Sequence, residues 1–229
     1  MPVRLLTLEE AAAFLHLDAG ELRQMAVCGE IPCVQSGPRM AFDREELDNW
    51  YTDRLIRGLA GRQKAGNPPP ANAAPTLSAL CREETMATAL PGKTRDAILR
   101  ALTALCENSG LLYDPREFYE ELKKREEVAP TAMNGGIALC HPENRDEFLC
   151  EAPFIAVAHS ERPIFFGAPN GEATDLFFVV AGPDDDLHLH IIARLCELLT
   201  ATDIASRLRT AETPAEMLEA MRETESSLR

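Results

Sequence analysis

The spacing of apolar residues from position 94 onward predicts an alternation of helices and strands. Apolar side chains three and four residues apart predict amphipathic helices that begin near Thr94, Pro115, Leu187 and Pro214. Short apolar runs predict strands at residues 137–140, 154–158, 164–166 and 176–181. Strands that alternate with helices indicate an α/β architecture.

Residues 1–57 carry a different pattern, in which three helix-opening signals surround a pair of short strands. A capping residue followed three positions later by Glu marks a helix start, and this occurs at Thr7, Asp18 and Asp43. Between the second and third signals, residues 34–42 form two short apolar segments around a Ser-Gly-Pro turn, which predicts a hairpin. The order of these elements predicts a small winged helix-turn-helix domain.

This N-terminal order resembles the excisionase-type helix-turn-helix family, which is related to the MerR class. The resemblance implies that the second helix enters the major groove of duplex DNA. Arg23, Gln24 and Arg39 are then the candidates for DNA contact, while Asp18 and Glu21 bring negative charge towards the phosphates. Docking to another protein is the competing role of this domain. The resemblance is carried by Leu6, Thr7, Glu9, Glu10, Ala11, Ala12, Leu15, Gly29, Glu30, Ile31, Pro32, Phe42, Leu47 and Trp50.

A segment rich in proline, glycine and alanine at residues 58–76 predicts a linker, so the second domain spans residues 77–229. Residues 1–64 carry 8 Lys and Arg against 10 Asp and Glu, so most of the formal net charge of −14 lies in the remainder. An acidic C-terminal part repels nucleic acid at long range. Any contact with DNA is therefore expected from local patches on the first domain.

The cysteine content and the hydropathy of the chain predict a cytoplasmic protein. Its seven cysteines are odd in number and lack the paired spacing of a zinc site, which favours reduced thiols. No apolar run approaches the roughly 20 residues of a membrane helix, and Glu9 and Glu10 interrupt any signal-peptide pattern.

The candidate chemistry begins at residues 125–141. Arg125 and Glu126 come first, a segment with Gly135 and Gly136 follows, and His141 stands just past the predicted strand. Loops at the carboxyl ends of strands form the crevices where ligands bind in open α/β sheets. Histidine serves there as acid, base, nucleophile or metal ligand. The alternative is a histidine that ends a strand for packing reasons.

A second candidate lies at the start of the helix predicted over residues 187–199. The aspartates at positions 184–186 are good N-caps, so His188 falls in or near the first helical turn. Backbone N–H groups and the helix dipole favour an anion at this end. A neutral His188 beside a phosphate would therefore donate a hydrogen bond to it.

These stretches resemble enzyme IIA of the fructose–mannitol and nitrogen-regulatory class of the bacterial phosphotransferase system. The family pattern Thr-Gly-Ile-Gly-Asn-Gly-Ile-Ala-Ile-Pro-His is matched by residues 131–141, with Ala132 and Met133 in place of Gly-Ile, Cys140 in place of the proline, and Pro142 after the histidine where a small residue is usual. The Arg-Glu pair is matched at Arg125 and Glu126, the His-Leu-x-x-Leu-Ala helix at residues 188–193, and the Pro-Ile-x-Phe-x-Ala-x-x-Gly stretch at residues 163–171. The resemblance covers roughly residues 77–225.

The resemblance implies a mixed sheet flanked by helices, with His141 accepting a phosphoryl group from an HPr-like phosphocarrier. His188 would bind the phosphoryl oxygens, and Arg125 would add positive charge or form a structural salt bridge with Glu126. Backbone or amide contacts to the phosphate are expected from Asn134, Gly135 and Gly136. Neither a cofactor nor a metal is required.

Three functions follow for the whole chain. The first is a regulator whose phosphorylation state controls DNA or partner binding, with homodimerisation an expected property of helix-turn-helix regulators. The second is a phosphocarrier that passes the phosphoryl group to a separate IIB domain, and the third is an unphosphorylated binding scaffold. A metal site formed by His141 and His188 is a weaker alternative, because the sequence offers no obvious third ligand.

Overall fold

The computed structural model describes residues 5–15, 17–36, 39–44, 46–47, 50–51, 54, 75–144, 149–182 and 185–228. The chain divides into two compact units, Met1–Asn72 and Ala73–Arg229. Most of the predicted linker, residues 58–74, lies outside the described residues.

The elements whose bounds are described in the first unit are two helices and three short strands. Its elements are β1 (Leu5–Leu6), α1 (Leu8–Phe14), α2 (Ala19–Val27), β2 (Val34–Ser36) and β3 (Arg39–Asp43). The predicted hairpin is confirmed as β2 and β3, and β1 adds a third antiparallel strand on the other side of β3. The described residues after β3, which lie in the predicted third helix, are helical.

Side-chain caps begin both described helices of this unit. The Thr7 hydroxyl accepts from the Glu10 amide at 3.2 Å, and the Glu10 carboxylate accepts from the Thr7 amide at 2.8 Å. The Asp18 carboxylate accepts from the amide of Gly20 at 2.8 Å and starts α2. Each cap satisfies backbone donors that a helix start would otherwise leave open. The helix starts predicted at Thr7 and Asp18 are therefore confirmed.

The second unit is an α/β domain built on a five-stranded mixed sheet. The strands lie in the order β4-β7-β8-β6-β5; the β4–β7 and β6–β8 pairs are parallel and the β7–β8 and β5–β6 pairs antiparallel. The predicted mixed sheet flanked by helices is thus confirmed. The elements are β4 (Cys81–Leu90), α3 (Arg95–Glu107), α4 (Pro115–Val128), β5 (Ala132–Met133), β6 (Ile137–Cys140), β7 (Phe154–Ile164), β8 (Thr174–Ala181), α5 (Asp185–Ala201), α6 (Ile204–Thr210) and α7 (Pro214–Ser227).

The strand prediction was wrong in one place and incomplete in others. The strand expected at residues 154–158 extends as β7 to Ile164 and pairs with β8, whereas the separate strand expected at residues 164–166 does not form, since residues 165–166 lie outside any strand. A register shift lies between His159 and Ile164, in the part of β7 that contains Pro163. Strands β4 and β5 and helix α6 were not predicted, because none of them has a sustained apolar period.

Helices cover the sheet and bury most of its central strand β8. Residues 176–181 of β8 are all 0% exposed, as expected for an apolar strand covered on both faces. Helices α3 and α4 share one core with Ala138 and Cys140 of β6, while α5 packs on β8 and α7 on β4. Side chains alternate along a strand, so His141 turns away from the α3–α4 core. Among the described helices, none is long and apolar enough to cross a membrane.

Candidate functional site

Two histidines meet at the carboxyl edge of the sheet. His141 follows β6 directly, and His188 lies in the first turn of α5, which begins soon after β8 ends. Because β6 and β8 are parallel, with Cys140 opposite Val179, their carboxyl ends coincide. The two imidazole rings lie 4.9 Å apart between centroids, at an interplanar angle of 59°. The structure therefore brings together the two histidines that the sequence singled out.

The hydrogen bonding of His141 distinguishes its two ring nitrogens. Nδ1 lies 3.2 Å from the carbonyl oxygen of Pro142. When Nδ1 carries the ring proton it donates to this carbonyl, and Nε2 then presents its lone pair. A neutral imidazole held in this tautomer has a nucleophilic Nε2. The side chains of His141 and His188 are buried, at 0% and 1% exposure.

Arg125 lies in the last turn of α4 and is wholly buried. Its Nη1 donates to the carbonyl oxygen of Ala129 at 2.6 Å, and its Nε lies 3.8 Å from Oε2 of Glu143. Glu143 is also buried, and its backbone N–H donates to the carbonyl of Glu121 at 3.1 Å. The carboxylate against Arg125 is thus Glu143, which the sequence analysis did not single out.

The neighbouring Glu126 contacts the loop before β5. Its carboxylate accepts from the backbone N–H of Thr131 at 3.2 Å and from the Thr131 hydroxyl. That hydroxyl also lies 3.7 Å from Sγ of Cys140. The expected Arg125–Glu126 salt bridge is thereby replaced by two separate contacts, Arg125 with Glu143 and Glu126 with Thr131.

Burial raises the pKa values of the Glu126 carboxyl and the Cys140 thiol. Desolvation raises the pKa of Glu126 to about 7, against hydrogen bonds from Thr131 that lower it. Desolvation also raises the pKa of the Cys140 thiol well above its ordinary value. Cys140 therefore stays a protonated thiol in the α3–α4 core, on the face opposite His141.

We expect Glu126 to make the stability of the protein pH-dependent in a window above pH 4.5. Its folded pKa of about 7 exceeds the pKa of 4.5 that an unperturbed glutamate has, so the stability it contributes is complete below pH 4.5 and is lost as the pH rises through 7. Relative to Glu126→Gln, the wild type should lose roughly 2–3 kcal/mol between pH 4.5 and 8. Urea unfolding of both proteins across this range measures the difference.

The exposed neighbour Glu127 provides the control for this experiment, because its side chain is 67% exposed. Glu127→Gln should track the wild type at every pH. A constant difference between wild type and Glu126→Gln from pH 4.5 to 8 would contradict the shifted pKa.

The predicted phosphate contacts from Asn134, Gly135 and Gly136 do not reach His141. These residues form the turn between β5 and β6, at the amino end of β6, whereas His141 follows its carboxyl end. Five residues of extended chain separate Gly136 from His141 by roughly 16 Å. The prediction was wrong because a hairpin places its turn and the end of its second strand at opposite edges.

The turn is instead bound to two charged side chains. Nη2 of Arg209 donates to the Gly135 carbonyl at 2.6 Å, and its Nε and Nη2 contact the Asp175 carboxylate at 2.6–3.0 Å. The Gly135 N–H donates to the Glu172 carboxylate at 3.0 Å. Gly135 and Gly136 have φ angles of +87° and +73°, which favour glycine. The two glycines therefore serve the hairpin.

Alanine substitutions at Gly135 and Gly136 should lower the free energy of unfolding by different amounts. A Cβ on Gly136 would lie 3.0 Å from both Arg209 Nη2 and Asp175 Oδ1, whereas a Cβ on Gly135 meets nothing within 4 Å. Gly135→Ala should lower the free energy of unfolding by about 1 kcal/mol through backbone strain alone. Gly136→Ala should cost about 2–4 kcal/mol, because the ion pair must also move.

Urea unfolding of the two variants measures this difference, and each serves as the control for the other. Equal costs would show that the contact with Arg209 and Asp175 is unimportant. Folded Gly135→Ala should retain any chemistry of His141, because the turn is remote from it.

The other histidines and the candidates for DNA contact lie elsewhere in the chain. His190 is buried on α5, and His159 has its Nε2 3.7 Å from Asp175 Oδ2, while His16 lies outside the described residues. Arg23 and Gln24 are exposed on α2; for Arg39 only the backbone, in β3, is described. Within the described part of the chain, no three side chains of His, Cys, Asp and Glu converge as a metal site would require.

Comparison with known proteins assigns the second unit to a protein family. The family model described as phosphoenolpyruvate-dependent sugar phosphotransferase system, EIIA 2, matches residues 79–224. Nitrogen regulatory protein of Pseudomonas aeruginosa is 29% identical over 126 residues, which are 54% of this chain and 80% of that protein.

Two solved structures share the fold. Nitrogen regulatory protein IIA-Ntr from Neisseria meningitidis has a TM-score of 0.57 at 19% identity, covering 63% of this chain and 97% of that one. Enzyme IIA mannitol from Escherichia coli, in its complex with phosphorylated enzyme IIB mannitol, has a TM-score of 0.54 at 17% identity, covering 62% and 97%.

Proposed function

Because the chain belongs to the EIIA 2 family of the phosphoenolpyruvate-dependent sugar phosphotransferase system, we propose that it accepts a phosphoryl group on His141. The donor is the phosphohistidine of an HPr-like carrier protein. The observation that carries this proposal is the 4.9 Å approach of the His141 and His188 rings at the carboxyl edge of the sheet. A ligand crevice is expected at this edge of an α/β sheet.

The transfer needs positioning and charge stabilisation more than covalent chemistry by the surrounding residues. Nε2 of His141 attacks the phosphorus while the bond from phosphorus to the carrier's imidazole nitrogen breaks. The Nδ1 proton of His141 donates to the Pro142 carbonyl, which steadies the positive charge that the ring gains. His188 donates to a phosphoryl oxygen from the first turn of α5, where the helix dipole favours an anion.

The proposal is tested by incubating the purified protein with an HPr-type carrier that carries a ³²P-labelled phosphohistidine. We expect about one acid-labile, base-stable phosphoryl group per chain. A carrier that phosphorylates another enzyme IIA in the same assay, but leaves this chain unlabelled, would overturn the phosphoacceptor role and favour a binding scaffold.

Onward transfer to a IIB domain is the next step of the proposal. It is supported by the likeness to an enzyme IIA that was solved with a phosphorylated enzyme IIB. Labelled protein, freed of carrier, should pass its label to a purified IIB domain from the same organism. Label that stays on His141 in the presence of several IIB domains would favour a regulator over a carrier.

The first unit is proposed to bind duplex DNA or a partner protein under the control of His141 phosphorylation. Helix α2 presents Arg23 and Gln24 as exposed side chains, with Val27 66% exposed one turn further on. Exposed polar and basic side chains on one helix suit contact with base edges and phosphates. Val27 suits protein docking as well, so the two partners are distinguished by experiment.

The DNA role is tested by selecting duplexes that the full chain retains, followed by anisotropy titration at several salt concentrations. Arg23→Ala and Gln24→Ala should weaken a selected duplex, and binding should fall as salt rises. Sedimentation of the same samples shows whether a homodimer binds. Failure to enrich any duplex, from either the phosphorylated or the unphosphorylated protein, would favour a protein partner.

A further inference from the structure

The ion pair of Arg125 and Glu143 is the feature of the site that the proposed function does not use. Both side chains are buried, at 0% and 7% exposure, with 3.8 Å between Nε and Oε2. Buried charges are poorly screened by solvent and act strongly on each other and on any nearby charge. Glu143 thus introduces a negative charge into a site proposed to receive a dianionic phosphoryl group.

The backbone places this pair at the His141 end of the sheet. Glu143 comes two residues after His141, and its N–H is fixed to the Glu121 carbonyl at 3.1 Å. On the other side, Arg125 donates to the carbonyl of Ala129, in the segment that leads into β5. This segment lies beside the carboxyl half of β6, because the Leu139 N–H donates to the Thr131 carbonyl at 3.2 Å.

We propose that Glu143 competes with the phosphoryl group on His141 for Arg125, and so sets how readily His141 gives the phosphoryl group up. This inference rests on the proposed phosphorylation of His141. In the unphosphorylated protein, Arg125 is neutralised by Glu143. After phosphorylation, two acidic groups share one guanidinium, so the phosphohistidine is held less tightly than Arg125 alone would hold it.

Glu143 is therefore a positioning residue that acts through Arg125. Its charge raises the transfer potential of the phosphohistidine, which a protein that must pass the group onward requires. At an effective dielectric of roughly 20, a buried charge close to a dianion changes an equilibrium by about tenfold. A purely structural Glu143 predicts the opposite result, because loss of a supporting contact would reduce phosphorylation.

The test compares wild type and Glu143→Gln at equilibrium with a labelled carrier. The measured quantity is the ratio of phosphorylated protein to phosphorylated carrier at fixed totals. Glu143→Gln should raise this ratio by about tenfold and slow the return of label to unlabelled carrier. An unchanged or lowered ratio, with a labelled wild type, would overturn the competition while leaving the phosphoacceptor role intact.

Glu121→Gln is the matched control. Glu121 lies on α4, the helix that carries Arg125, and accepts from the Asn144 N–H at 2.8 Å, but its carboxylate pairs with Lys124 at 3.7 Å. Its removal should leave the equilibrium ratio near that of the wild type. An equal rise in both variants would mean that any nearby acidic group acts alike, and would overturn the specific role of Glu143.

A second measurement needs no variant and guards against misfolding of Glu143→Gln. The Nε–H signal of Arg125 is followed by NMR in the wild type before and after phosphorylation. We expect it to shift as the guanidinium moves from Glu143 towards the phosphoryl group. An unmoved signal on labelled protein would overturn the inference, and an unlabelled wild type would overturn both it and the proposed function.

Discussion

Replacement of His141 by glutamine is expected to reduce acid-labile phosphoryl incorporation to background. The imidazole Nε2 is the nucleophile of the proposed transfer, and an amide nitrogen cannot replace it at neutral pH. The label from a phosphorylated HPr-type carrier, counted after acid and base treatment, measures the loss. The fold should survive, because glutamine fills a similar volume and can still approach the Pro142 carbonyl.

His188→Ala should lower the rate of labelling by about 10²-fold while leaving the final stoichiometry near one, because it removes one donor to the phosphoryl group. His159→Gln is the control for a general loss of imidazole, since His159 contacts Asp175 away from the site. Full labelling of His141→Gln would place the phosphoryl group elsewhere. A normal rate in His188→Ala would remove His188 from the transfer.

The positions of His141 and His188 could each be predicted from the sequence because they depend on local rules, whereas their approach was implied only by the resemblance to enzyme IIA. A short apolar run ends at Cys140, so His141 had to follow a strand. A helical period preceded by acidic caps placed His188 in a first turn. Parallel pairing of β6 and β8 then brings the two ends together, and such pairing is common among strands separated by crossovers.

Glu143 could not be identified in this way. It follows a proline in a segment without apolar period, so its sequence surroundings suggest an exposed loop. Its burial depends on the path of the chain over α4, where its N–H meets the Glu121 carbonyl. Contacts of this kind join residues that are distant in sequence, and a single sequence carries little signal for them.

The turn at Gly135 and Gly136 differs from Glu143, because the sequence singled out its residues but not their role. The paired glycines suggested backbone contacts to a phosphate, whereas their positive φ angles belong to a hairpin turn. Their purpose could not be predicted, because the same conformational freedom serves phosphate binding and tight hairpins. The two-residue strand β5 is too short to show an apolar period in the sequence. Its antiparallel pairing with β6 places the turn at the amino end of β6.

Replacement of Arg125 by methionine is expected to lower the free energy of unfolding by about 3–5 kcal/mol at pH 7. The change leaves the Glu143 carboxylate buried without the guanidinium and the Ala129 carbonyl without its donor at 2.6 Å. A buried charge that loses its partner is costly, whereas its removal together with the partner is much less so. Urea unfolding followed by circular dichroism measures the loss.

The double variant Arg125→Met, Glu143→Gln should therefore recover most of the lost stability, and the four proteins together form a double-mutant cycle. Arg222→Met is the surface control: its guanidinium lies 3.7 Å from Glu219 and its side chain is 57% exposed, so a change within about 0.5 kcal/mol is expected. If Arg125→Met and the double variant were equally unstable, the loss would come from packing and the Ala129 contact. The charge of Glu143 would then be balanced without Arg125, and the competition proposed between Glu143 and a phosphoryl group would lose its physical basis.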